Sequence, residues 1–137
     1  MTNQVAPKVG DKLPELVLDM TATRIVAGAI ATRDFMPVHH DRDYANAQGA
    51  PEIFMNILST NGYCGRFLTD WAGPESLIRS LKIRLGVPVF ANSTLKFTGH
   101  VTAIENIGDE QFVHIDLTAS NDLGDHATGT AIVALPA

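Results

Sequence analysis

The spacing of apolar residues changes once along this chain, near Gly73-Pro74, and that change limits the possible folds more than any other feature. Before it, over residues 52–71, Ile53, Phe54, Ile57, Leu58, Leu68 and Trp71 fall at roughly helical spacing and form one apolar stripe. After it the period is two. Residues 80–85 (SLKIRL) and 94–101 (TLKFTGHV) alternate polar and apolar, and 111–118 (QFVHIDLT) and 127–135 (ATGTAIVAL) read as further strands. Turn residues separate these runs at 86–88, 106–109 and 121–125. Connections of hairpin length imply an antiparallel meander. A long helix followed by such strands gives an α+β domain in which an antiparallel sheet wraps around a central helix. The apolar edges left over favour a dimer.

Upstream, residues 13–18 form a short edge strand with Pro14 near its start. Residues 23–32 are assigned to a short helix. Pro37 breaks what precedes it and pushes Met36 toward extended backbone. Proline also suits a first helical turn, so residues 37–47 read as a new helix, with Asp41 and Asp43 near its positive end. Gly62 and Gly65 interrupt the long helix at a cost of up to ~1 kcal/mol each against alanine. Close packing on another surface would account for them.

The chain has 137 residues, enough for one domain with a real core. Its net charge of -5 (10 basic and 15 acidic residues) argues against a general affinity for nucleic acid or an anionic membrane. Cys64 is the only cysteine, so no internal disulfide can form. No apolar run approaches the ~20 residues needed to cross a bilayer, and residues 1–7 lack the regions of a signal peptide. A cytoplasmic protein is the expectation.

The densest polar cluster spans residues 34–43 (DFMPVHHDRD). Asp34 and His39 lie on either side of the proline break and can converge from two sides of a bend. A carboxylate and an imidazole that share one water can move protons in the hydration of an α,β-unsaturated thioester. A backbone N–H at a helix start can stabilise the enolate oxygen. The plainer alternative makes Asp34 a helix cap and His39 a satisfied, half-buried histidine. His40 points about 100° away from His39 on a helix and belongs to the surface. His39 and Asp43 are four apart, but no third ligand has a metal-site spacing, so no metal is expected. Gly62-x-x-Gly65 follows no strand and is not a phosphate loop. Tyr63 is a candidate pocket residue, against the plainer reading of a core residue.

The segment Asp34-x-x-Pro37-x-His39, then five residues and Ala45, resembles the hydratase motif of the MaoC-like, R-specific enoyl-CoA hydratase family. The order of elements over nearly the whole chain is also similar. The resemblance implies a hot-dog fold and hydration of a 2-enoyl-CoA, with Asp34 and His39 activating the water. It implies no cofactor, since the CoA belongs to the substrate. It also implies an oxyanion donor at the backbone N–H of Asn56. The sequence departs from the family at three positions. Arg33 and Asn56 stand where glycine is usual, and Met36 where asparagine is usual. Arg33 and Met36 fall at the pocket rim. The longer stretch DFMPVHHDRDYANAQGAPEIFMNIL, with TDWAGP and LGVP, is similar to the family branch of small subunits of actinobacterial steroid side-chain enoyl-CoA hydratases. That implies an acyl-CoA substrate and either a homodimer or a hetero-oligomer with a larger MaoC-like subunit. Two other readings stay open: a hot-dog acyl-CoA thioesterase, which Glu52 and Asp70 support weakly because they lie only at the ends of the central helix, and a non-catalytic scaffold subunit. The acyl group, the stereochemistry and the division of acid and base roles also stay open.

Overall fold

The alternating segments do form a single sheet, but not in chain order. The computed structural model describes residues 6–137, so the segment 1–5, part of the stretch searched for a signal peptide, lies outside the described residues. The elements are β1 (Leu16–Met20), α1 (Ala22–Ala31), a 3-10 turn (Pro37–His39), α2 (Arg42–Ala47), α3 (Ile57–Ala72), β2 (Leu77–Leu85), β3 (Ser93–Ile107), β4 (Glu110–Asn121) and β5 (Gly124–Pro136). The strands are ordered β1-β3-β4-β5-β2, with every neighbouring pair antiparallel.

Strands β3, β4 and β5 make the expected meander. Strand β2 does not join it through a hairpin. It pairs with β5 at the far edge, with Leu85 opposite Ala127. Residues 86–92 then carry the chain across one end of the sheet to β3. Val87 N–H donates to the Asp125 carbonyl (3.0 Å), and the Asn121 amide donates to the Pro88 carbonyl (3.0 Å). The edge strand predicted at 13–18 is present but starts three residues later and ends two later.

Helix α3 is shorter than the predicted 52–71 helix at its start. Residues 53–55 are extended instead and pair with 89–91. Met55 N–H donates to Val89 (2.9 Å) and Ala91 N–H to Ile53 (3.0 Å). Ile53 and Met55 are therefore buried by strand-like pairing, while Ile57 and Leu58 on the first helical turn are 49% and 48% exposed. The predicted 37–47 helix is likewise split. His40, at φ -145°, leaves helical geometry, and the Asp41 carboxylate caps a new helix by accepting from Tyr44 N–H (3.1 Å).

The sheet curls around α3. Along β4, Val113, Ile115, Leu117 and Ala119 are buried at a period of two, which points one face at the helix. From α3, Thr60, Cys64, Phe67, Leu68 and Ala72 face that surface. Phe67 lies against Phe97 with ring centroids 5.9 Å apart. Each fully buried side chain of this size contributes roughly 1.5–3 kcal/mol. Burial also pushes the Cys64 thiol up to about 11, which leaves it protonated. Gly73, at φ 87°, ends the helix as expected. The close packing predicted for Gly62 and Gly65 is not found. A Cβ at Gly62 would meet nothing within 4 Å, and one at Gly65 would touch Ile78 only at 3.9 Å.

Gly28 is the helical glycine at a close approach. A Cβ there would overlap Ser59 Oγ, where α1 crosses the first turn of α3. That buried hydroxyl has no hydrogen-bond partner among the described residues. The same turn is tied to the sheet through His126. His126 Nδ1 lies 2.7 Å from the Val87 carbonyl, and Nε2 lies 2.8 Å from Thr60 Oγ1. A carbonyl can only accept, so Nδ1 carries the proton and Nε2 accepts from the threonine. Burial holds the His126 pKa below its ordinary 6.5, outweighing the Val87 bond that favours the charged form.

Two stability measurements follow from these contacts. In urea melts, Gly28→Ala is expected to destabilise the parent by about 1 kcal/mol or more, because overpacking outweighs the helix-propensity gain. In a Ser59→Ala background the same change is expected to be neutral or stabilising, and additive costs in the two backgrounds would refute the contact. The second measurement is stability against pH. The unfolded chain protonates His126 near 6.5, and the folded chain only at lower pH. Between those values the unfolded state holds the extra proton, so stability falls as pH drops, by up to about 1.4 kcal/mol per pH unit. His126→Asn should flatten that limb relative to the parent, and an unchanged slope would contradict the burial of a neutral imidazole.

Candidate active site

Asp34 owes its position to the way α1 ends. Thr32 caps the helix, and Arg33 takes a left-handed conformation at φ 56°. Arg33 N–H then donates to Ile30 (3.0 Å) and Asp34 N–H to Ala29 (2.9 Å). This pair of bonds is the Schellman closure, whose left-handed residue is most often glycine. Arg33 therefore occupies a position with a backbone reason for glycine, and its side chain is exposed. Asp34, the next residue, is held by the closure itself.

His39 arrives on the 3-10 turn that starts at Pro37. The ring is buried, packs edge-on against Phe54 with centroids 5.1 Å apart, and places Nδ1 2.7 Å from the Phe54 carbonyl. That acceptor fixes the proton on Nδ1 in the neutral ring and leaves a lone pair on Nε2. Nε2 faces Asp34 Oδ2 at 3.5 Å. The gap exceeds a direct N–H···O bond. It leaves two acceptors side by side, with the Asp34 side chain 27% exposed.

The third member is Asn56, which caps α3. Its Oδ1 accepts from Ser59 N–H (3.2 Å), and its Nδ2 donates to Asp34 Oδ2 (3.1 Å) and Thr32 Oγ1 (2.9 Å). The Asn56 amide, followed by Met36 N–H on Oδ1 (3.3 Å), holds the Asp34 carboxyl below its usual range. Partial burial opposes them, and nearby His39 adds a smaller push in the same direction. Asp34 is not the helix cap weighed above, because the turn at Pro37 starts from Met36 without a side-chain cap; one Asp34 oxygen accepts from Met36 N–H and the other turns toward His39.

The structure therefore brings Asp34, His39 and Asn56 together. The backbone amides of Asn56, Ile57 and Leu58 head α3 without intrahelical partners. Met36 is exposed at the rim beside Asp34. Tyr63 lies about two turns along α3 from Asn56, on the same helix face, half-buried against the core. It makes none of the hydrogen bonds that join the cluster. Thr32 and the Phe54 carbonyl, which orient Asn56 and His39, were not singled out from sequence. The only sequence signal for them was proximity to the motif. The two carboxylates of the thioesterase reading lie elsewhere. Glu52 falls outside α3 and is gripped by Arg42 (2.6 and 2.7 Å), and Asp70 pairs with Arg66. Among the described residues no three His, Cys, Asp or Glu side chains gather as a metal site. No helix among them is long and apolar enough to cross a membrane.

A family model for the MaoC like domain matches residues 6–123. The chain is 48% identical over 127 residues to the 3-oxo-4,17-pregnadiene-20-carboxyl-CoA hydratase beta subunit of Mycobacterium tuberculosis, covering 93% of this chain and 95% of that one. It superposes on a chain of the ChsH1-ChsH2 complex from Mycobacterium tuberculosis with a TM-score of 0.87 and 49% identity, over 93% of this chain and 98% of that one. The (R)-hydratase from A. caviae involved in PHA biosynthesis has the same fold, with a TM-score of 0.84 at 22% identity, over 94% of this chain and 97% of that one. The matched stretch contains the Asp34–His39 segment, all of α3 and the sheet through β4, and on that evidence this chain is a hot-dog protein of the MaoC-like family.

Proposed function

We propose that this chain is the small subunit of a 2-enoyl-CoA hydratase that acts on a CoA thioester carried by a steroid side chain. The observation that carries the reading is the Asp34–His39 pair, with Oδ2 and Nε2 3.5 Å apart at the head of α3. The 48% identity to a named pregnadiene-carboxyl-CoA hydratase subunit supports the acyl class.

Each acceptor of the pair takes one hydrogen of a water molecule, which turns a lone pair of the water oxygen toward the β-carbon of the thioester. As the C–O bond forms, the pair takes one proton from the water. The electron pair of the double bond moves toward the thioester oxygen, where the amides at the start of α3, that of Asn56 among them, donate hydrogen bonds. The pair then returns its proton to the α-carbon, so water is added with no net gain or loss of protons. The reaction needs no cofactor beyond the CoA of the substrate.

The mouth of the site supports a partner as well as an apolar acyl group. Ile30, Phe35, Met36, Ile57 and Leu58 flank Asp34 and Asn56 in sequence, and all five are among the exposed large hydrophobics, with Phe35 at 65%. A rim of this kind suits cover by a second chain and a steroid nucleus. The related structure is a ChsH1-ChsH2 complex, which favours a larger MaoC-like partner for this chain over a homodimer. The lone buried Cys64 and the CoA-linked substrate support action in the cytoplasm.

The test is loss of enoyl-thioester absorbance with a steroid enoyl-CoA and with crotonyl-CoA. It is run on the chain alone and on the chain assembled with a larger MaoC-like subunit. Asp34→Asn and His39→Gln should each lower kcat/KM by about 10²–10⁴-fold while the melting temperature stays near that of the parent. Full activity in both variants would refute the assignment, and release of free CoA thiol would transfer it to a thioesterase.

A further inference from the structure

We infer that the side chain of Asn56, as distinct from its backbone N–H, is a positioning residue that sets the orientation and protonation of Asp34. The inference deepens the hydratase reading above and rests on it for its kinetic consequence alone.

Geometry carries it. Asn56 is 2% exposed and uses both ends of its side-chain amide. Thr32 Oγ1 sits 2.8 Å from the Gly28 carbonyl and 3.1 Å from the Ala29 carbonyl. Carbonyls only accept, so the threonine proton points back into α1, and toward Asn56 its oxygen is an acceptor. Asp34 Oδ2 is an acceptor too. The opposite end of the amide meets Ser59 N–H, a donor. Only one orientation of the amide satisfies all three, so its N–H groups are committed to Thr32 and Asp34. One side chain therefore joins the end of α1, the start of α3 and the carboxylate between them.

Capping alone does not select asparagine here. Serine or aspartate caps a helix about as well. Aspartate has no hydrogen to donate to Asp34, and serine has a single O–H where asparagine gives one N–H to Thr32 and one to Asp34. The group that faces Asp34 from the 3-10 turn is His39. Arg33 beside it in the chain is exposed, and Arg42 is engaged with Glu52. A neutral donor thus holds Asp34 in place of a cation. Its lowered pKa agrees, since the Asn56 bond is the largest cause.

The decisive experiment follows the Asp34 carboxyl by carbon NMR across pH in the folded chain, beside the pH profile of kcat/KM in the assembled enzyme. Asn56→Gly keeps a residue that still suits the cap position and removes the donor. Asn56→Asp keeps the shape and the cap but sets a second carboxylate against the first. The Asp34 midpoint should rise in the glycine variant and rise further in the aspartate variant, by about one to two pH units in the latter. The acid limb of kcat/KM should move with it. A role limited to capping or oxyanion binding predicts an unmoved Asp34 midpoint in Asn56→Gly, and that result would overturn the inference. In the unsubstituted protein the Asn56 side-chain amide resonances should shift with the Asp34 midpoint, so a variant that fails to fold does not remove the test. Amide resonances that ignore Asp34 would also overturn it. Shifted midpoints in a protein with no hydratase activity would uphold the positioning role and refute the proposed reaction.

Discussion

Burial of one face of α3 in the curl of the sheet is the constraint on which the site depends. With Cys64, Phe67, Leu68 and Ala72 packed against the sheet, the helix cannot turn about its axis without exposing them. A turn of one residue would swing every side chain by 100°. That phase places Thr60 beside His126 and, one turn earlier, Asn56 beside the end of α1. The apolar core therefore aims a polar cap. Gly28 matters for the same reason, since only a residue without a side chain lets α1 come this close to Ser59.

Two backbone devices meet that cap. The Schellman closure of α1 holds Asp34 through its own N–H, and the 3-10 turn after Pro37 brings His39 back toward it. Between them, Asp34 and Met36 are linked by a carboxylate-to-amide contact of 3.3 Å. A left-handed arginine costs about 1–3 kcal/mol in strain, and the helix-closing bonds around Arg33 offset part of it.

The strands and the Asp34–His39 pairing were largely legible in the sequence, for different reasons. Alternation in 111–118 and 94–101 reports directly on a sheet with one buried face. The pair was legible because Pro37 and Ala45 fix its register in a motif that belongs to a known family. What stayed hidden was non-local. Nothing in residues 77–85 says that this strand borders β5 and not β3, because that choice is made by hydrogen bonds some fifty residues away. Ile53, Phe54 and Met55 look like the first turn of a helix because three consecutive apolar residues carry no phase. Their partner, 89–91, lies beyond α3 and β2. The local mark of the true start was Asn56, whose cap reaches Ser59 three residues on. As a departure from a family glycine it suggests only a changed oxyanion site, and its side-chain role escapes notice.

The electrostatics of the pair suit the proposed chemistry better than an ion pair would. A cation beside Asp34 would keep it ionised, but would also cancel its field and compete for its lone pairs. Asn56 and the Met36 N–H are neutral, so the carboxylate stays ionised with its negative charge undiminished. That charge favours the imidazolium formed if His39 takes the proton from water, and the bond from Nδ1 to Phe54 keeps the ring in place as the charge appears. The same charge repels an anionic enolate, which must then be held by the amides at the head of α3. Asn56 belongs to both sides of this division, with its side chain on the carboxylate and its backbone N–H among the amides proposed to hold the thioester oxygen. Separation of the developing negative charge from Asp34 thus depends on how α3 is capped, and the capping residue is set by the packing of the helix behind it.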